Sequence, residues 1–233
     1  MQTLNYNIPA GDEVLACQVN FADDGSGPTI ICLHGGGPAG KDATAYLAAV
    51  LQQAGQSVIR FDFSGHGEST GKMTESSLAK RLLETKAVLD YFNLHDGISV
   101  IGTSMGGYIV CKLIKEAGIE NLILFGPAAY STKAWDVPFG AGFTEIIREE
   151  NSFLQSDILE LLAHFHGKAL LVTGEHDEII PPQVTARYMQ ALSQCRDFER
   201  LVIPDCPHPI HRWLLKHPEV RQEIEQKVVR FLG

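Results

Sequence analysis

The chain lacks any CxxC pair. Its five cysteines, Cys17, Cys32, Cys111, Cys195 and Cys206, are scattered and odd in number, and three of them sit inside apolar stretches. That distribution suits reduced, buried thiols and excludes a disulfide framework. No basic block offsets the net charge of −9, so the electrostatic footprint of a nucleic-acid partner or an anionic lipid surface is missing. No apolar run approaches the ~20 residues that span a bilayer, which argues against stable membrane insertion. The opening "MQTLNYNIPAGDEVLAC" has neither the basic start nor the apolar middle of a secretory signal, and a cytoplasmic location is the expectation. Internal repeats, low-complexity tracts and linker-like shifts in composition are also missing.

What is present is a core. The chain has 233 residues, 45% of them hydrophobic, enough for a single globular domain. Apolar runs alternate with amphipathic stretches, the signal of a mostly parallel sheet covered by helices on both faces. The strands read as "TIICLHG", "SVIRFDF", "ISVIGTS", "NLILFGP", "ALLVTGE" and "FERLVIP", with helices starting near Ala43, Thr74, Met105 and Pro181 and a last one over 217–231. The segment before them, "TLNYNIPAGDEVLACQVNF", turns around Gly11 and predicts an antiparallel hairpin. One connection, residues 128–166, is far longer than the usual few-residue link. Its aromatic residues Trp135, Phe139 and Phe143 are expected to wall a binding pocket as a small cap, because ligands of open α/β sheets lie outside the carboxyl ends of the strands.

The glycine-rich "HGGGPAGKD", from His34 to Asp42, follows the first parallel strand and admits three readings. Gly35 to Lys41 fits GxxxxGK of a nucleotide P-loop, and Gly35, Gly37 and Gly40 fit GxGxxG of a dinucleotide site, for which Asp62 would be the ribose-binding acid. In the third reading the same amides form an oxyanion hole, meeting charge that exists only in a tetrahedral intermediate.

"GTSMG", residues 102–106, stands at a strand-to-helix junction and fits GxSxG, in which small flanking residues allow a tight turn that lifts the serine hydroxyl out of the sheet. Ser104 is therefore a candidate nucleophile. A serine needs a base, and the base needs an orienting acid. "GEHDEIIP" places Asp177 after a later strand, and "IPDCPHPIH" places His208 and His211 after the last, giving the chain order serine, acid, histidine. Cys206, His208 and His211 are close in sequence, but prolines interrupt the spacing and no second ligand cluster is evident, so no metal site is expected.

With "HGGGP", "FDFSGHGES", "GTSMGG", "GEHDEIIP" and "IPDCPHPIH" in this order, the chain resembles the α/β-hydrolase superfamily from about Thr29 to Phe231, in its compact branch of carboxylesterases, lysophospholipase-like enzymes and thioesterases. The resemblance implies Ser104 as nucleophile, Asp177 as acid, His208 as base, and an oxyanion hole built from the N–H groups of Gly36 and Met105. It selects the third reading of the glycine loop. Asp42 stands where a P-loop needs Ser or Thr, and Pro38 removes a donor from the middle of the loop. His34 is expected to brace this loop, His66 to belong to a structural turn, and His211 to serve packing or the pocket wall. The implied activity is cofactor-free cleavage of small-molecule carboxylic esters or thioesters with short to medium acyl chains. The same triad would serve an amidase, a peptidase or a carbon–carbon bond hydrolase, and a non-catalytic binding homologue is the reading from another class. A homodimer is compatible with all of these.

Overall fold

Gly11 takes φ +62°, a left-handed turn that returns strand β1 (Gln2–Ala10) along β2 (Glu13–Phe21) as the expected antiparallel hairpin. These positions belong to a computed structural model describing residues 2–38 and 40–233. β2 runs antiparallel to β4 (Val58–Phe61), and from there every pairing is parallel. β3 (Ile30–Leu33) lies between β4 and β5 (Asp96–Thr103), followed by β6 (Gly118–Phe125), β7 (Lys168–His176) and β8 (Asp197–Pro207). Among the described residues this makes one eight-stranded sheet in the order β1-β2-β4-β3-β5-β6-β7-β8.

The side-chain alternation of a strand splits the core into two layers. Ile30 and Cys32 face one layer with Ile101, Ile123 and Val172, covered by α1 (Ala45–Gln53), α7 (Ile210–Leu214) and α8 (Pro218–Leu232). Ile31 and Leu33 face the other with Val100, Leu122 and Leu171. That layer is covered by α2 (Leu78–Tyr91), α3 (Met105–Lys112), α5 (Ile158–Leu162) and α6 (Pro182–Leu192). Both faces being buried explains why the central strands read as continuous apolar runs. No helix among the described residues is long and apolar enough to cross a membrane.

Two expectations are corrected in detail. The helix placed near Thr74 starts at Leu78. Residues Met73–Glu75 form only a single 3-10 turn, Ser76 and Ser77 are extended, and the Ser77 hydroxyl accepts the Lys80 N–H at 3.1 Å as the helix cap. The long connection 128–166 is not cap throughout. Ile158 and Leu162 of α5 are buried in the main core against α3 and α6, so that helix belongs to the body. The stretch of the connection that borders the cavity beside Ser104 is shorter and includes α4 (Ala141–Arg148), whose Phe143 also packs into that core.

Candidate active site

The turn between β5 and α3 depends on missing side chains. A Cβ on Gly106 would stand 2.6 Å from the carbonyl oxygens of both Leu33 and His34, and one on Gly102 would stand 2.6 Å from the Gly107 Cα. Backbone cannot move aside as a side-chain tip can, so glycine is required at both ends of the pentapeptide. Between them Ser104 adopts φ +50°, ψ −112°, a conformation that costs a non-glycine residue roughly 1–3 kcal/mol and persists only where the surroundings enforce it. The enforcement is visible. The Ser104 N–H donates to the Phe125 carbonyl at 2.9 Å, and its carbonyl accepts the Ala128 N–H at 3.0 Å.

Raised in this way, the Ser104 hydroxyl lies 3.0 Å from His208 Nε2, and His208 Nδ1 lies 2.8 Å from Asp177 Oδ2. The carboxylate can only accept, which puts the ring proton on Nδ1 and leaves Nε2 free to accept from Ser104. Asp177 is itself anchored, its other oxygen accepting the N–H groups of Ile179 and Ile180 at 2.9 Å each. Burial pushes its carboxyl pKa up, but the hydrogen bonds from His208, Ile180 and Ile179 outweigh that and hold it below the ordinary carboxylate range. The three side chains come from the ends of β5, β7 and β8, brought together by strand order rather than by sequence proximity.

His211, three residues from His208, is turned the other way. It is buried, with Nδ1 2.8 Å from the Tyr46 hydroxyl and Nε2 2.7 Å from Thr103 Oγ1, and burial pulls its pKa down to about 4. It is held behind Ser104 as a packing group, and the cavity beside Ser104 does not include it, so the pocket-wall alternative is set aside. Cys206, the third member of that sequence cluster, is a buried thiol whose sulfur lies 3.4 Å from the Pro207 carbonyl.

The glycine loop lies against this turn. A Cβ on Gly35 would meet that of Ser104 at 3.4 Å, and one on Gly36 would run into the Met105 side chain. Met105 opens α3, where the first N–H groups of a helix have no intrahelical acceptor. His34 fixes the loop as expected. Its Nε2 accepts the Phe63 N–H at 3.1 Å, so its Nδ1–H donates to the Gly35 carbonyl at 2.7 Å. That bond orients the Gly35–Gly36 peptide and, with it, the Gly36 N–H. The residues on which the phosphate readings depend are engaged with each other. Lys41 Nζ bonds Asp62 and Glu68 at 2.7 Å each, and Asp62 also accepts the backbone N–H groups of Lys41 and Glu68. In "FDFSGHGES", Ser69 donates to the Asp62 carbonyl at 2.6 Å and accepts the Ala16 N–H, tying this turn to β2.

A cavity of about 560 Å³ opens over Ser104 and His208. Gly36 and Met105 border it, as do Phe139 and Phe143 of the long connection. Trp135 does not, which corrects that expectation: its ring covers the Lys112 ammonium at 4.3 Å and meets Tyr108 edge-on, off to the side. The rest of the wall comes from separate segments. Met73 and Thr74 come from the loop after β4, Ile179 from the loop after β7, and Tyr130 and Ile147 from the long connection 128–166. No local pattern marks such residues, because only the fold makes them neighbours.

The residues from 28 to 145 match the family model described as the alpha/beta hydrolase fold. The chain belongs to the α/β-hydrolase family. This α/β-hydrolase chain is 25% identical over 231 residues to the lysophosphatidylserine lipase ABHD12 of Bos taurus, an alignment covering 89% of the chain and only 56% of that longer relative. Among solved structures it superimposes on Est1E of Butyrivibrio proteoclasticus, crystallised with ferulic acid, with a TM-score of 0.70 at 21% identity, covering 95% of this chain and 98% of that one. The proline iminopeptidase of Mycobacterium smegmatis gives 0.69 at 18% identity, covering 98% and 97%. At these identities the two structures speak for the fold alone.

The buried imidazoles have a consequence for stability. Burial first, then the charges of Arg81 and His66, pull the His34 pKa down to about 3, and burial pulls that of His211 to about 4, against an ordinary 6.5. An unfolded chain takes up both protons as pH falls below 6.5, while the folded chain resists, so stability declines from about pH 6.5 down to about 4. At 1.36 kcal/mol per unit, His211 alone accounts for on the order of 3 kcal/mol. Urea denaturation between pH 7 and 4.5 should show this decline, and a flat profile would contradict the neutral, buried state of both rings.

Proposed function

We propose that the chain is a serine hydrolase acting on small-molecule carboxylic esters or thioesters of short to medium acyl chains. The observation that carries this reading is the continuous chain of contacts from Ser104 Oγ through the His208 ring to Asp177, at 3.0 and 2.8 Å, beside an apolar cavity. Ser104 attacks the acyl carbonyl as its proton passes to His208 Nε2, and the Asp177 carboxylate stabilises the resulting imidazolium. The oxygen of the carbonyl becomes an anion, which the N–H groups of Gly36 and Met105 stabilise. His208 then gives its proton to the leaving alcohol or thiol, leaving Ser104 acylated. Water, deprotonated by the same ring, repeats the attack and releases the acid. The relative ABHD12 is a lysophosphatidylserine lipase, and its ester-cleaving name supports the reading of acyl transfer.

The test is a series of p-nitrophenyl esters together with fluorophosphonate labelling. Each methylene that finds apolar contact gains about 0.8 kcal/mol until the pocket ends. With walls formed by Tyr130, Phe139, Phe143 and Ile147, specificity should rise from acetate to a maximum near butyrate or hexanoate and then fall. Activity still climbing at palmitate, or a jump in rate when substrate forms droplets, would contradict the short cap.

A further inference from the structure

Arg81, on the first turn of α2, is fully buried and makes no direct ion pair among the described residues; the buried Glu84, three residues on along the helix, acts on it only as a nearby charge. Its guanidinium lies between two rings instead, 4.6 Å from the centroid of Phe63 and 4.9 Å from that of Phe139. Nε and Nη1 have no hydrogen-bond partner among the described residues, and Nη2 faces His66 Nδ1 at 3.3 Å. His66 Nε2 is 3.1 Å from the Gly37 carbonyl, so the ring donates there and accepts from Arg81. The two rings offset part of the cost of burying the cation, while its unfilled donors remain a cost.

Its two contacts lead to different parts of the site. Phe63 touches His34, and His66 reaches Gly37, so one side of the guanidinium supports the glycine loop. The other side supports Phe139, which meets Phe143 edge-on at 4.8 Å and borders the cavity, and whose N–H donates to Ser76 just ahead of α2. We propose that Arg81 is a positioning residue that fixes the oxyanion loop and the aromatic acyl wall relative to one another, acting through His66 on one side and Phe139 on the other. This rests on the serine-hydrolase reading of the site.

The experiment compares the full chain with Arg81→Met and Arg81→Lys on p-nitrophenyl acetate and hexanoate, each also in combination with Phe139→Leu. Methionine keeps length and removes charge; lysine keeps charge and loses the planar face. Arg81→Met should lower kcat on acetate about tenfold with little change in KM, as a loosened oxyanion donor does. It should also erase most of the preference for hexanoate, and adding Phe139→Leu should cause no further loss of that preference. Arg81→Lys should restore much of the acetate kcat but not the hexanoate preference. Wild-type kcat and chain profile in both variants would overturn the proposal. So would additive losses with Phe139→Leu, or an equal loss on both esters that tracks a lower melting temperature. Should Arg81→Met fail to fold, the lysine variant decides on the same criteria. If the wild-type chain neither turns over esters nor labels with fluorophosphonate, the hydrolase reading fails instead. The brace is then read from the ¹⁵N signals of the His66 ring: a shift of Nδ1 in Arg81→Lys supports it, and an unchanged ring overturns it.

Discussion

Ser104→Ala should abolish covalent labelling by a fluorophosphonate and lower ester turnover by about 10⁵-fold or more, while the protein still folds. On the proposed mechanism only oxyanion donors and substrate binding remain to such a variant, and these leave a small residual over the uncatalysed reaction. Folding should survive because the Ser104 backbone, not its hydroxyl, makes the contacts that hold the turn, to Phe125 and Ala128. Alanine occupies the same positive φ with a Cβ like that of serine, so the strain is unchanged. The measurement is kcat/KM on p-nitrophenyl butyrate beside gel fluorescence after probe treatment, with circular dichroism as the folding control. Labelling that persists in the variant would place the nucleophile elsewhere.

His208→Ala should cost about 10⁴-fold or more in kcat, because both the proton acceptor and the link to Asp177 disappear together. His211→Ala should act on stability instead. It strips the Tyr46 hydroxyl and Thr103 Oγ1 of their buried partner, at a cost of roughly 1–3 kcal/mol for an unsatisfied group, and should lower kcat by less than about tenfold. Parallel measurement of kcat and of the urea midpoint separates the two. The reverse ranking in kcat would reassign the base, because His211 reaches Ser104 only indirectly, through Thr103 and through the Phe125 ring it packs on.

These two histidines show where reading the chain alone stops. Both follow the last strand within four residues; nearness to the strand end and the resemblance favour His208, but neither shows where the His211 ring goes. The backbone path does: α7 begins at Ile210, carrying His211 into the layer under α1, while His208 remains on the loop at the strand end. Similarly, Lys41 and Asp62 are twenty-one positions apart, and nothing local shows that a buried ion pair removes both from any phosphate. Trp135 and Phe139 are alike on paper, but the first lies over Lys112 and the second over Arg81 and the cavity.

The sequence by itself determined the alternation of strands and helices, the hairpin at Gly11, the family, and the tight turn that needs glycine around Ser104. Each of these is set by short-range physics: side-chain periodicity, the steric freedom of glycine, or a motif whose residues are neighbours in the chain. Only the tertiary structure decided which histidine faces Ser104, which aromatic residues wall the cavity, that α5 packs in the main core, and that Arg81 stands between Phe63 and Phe139. Those outcomes depend on contacts between segments tens to more than a hundred residues apart. Their geometry follows from the order of strands in the sheet and the packing of helices on it, and no local stretch of the chain encodes either.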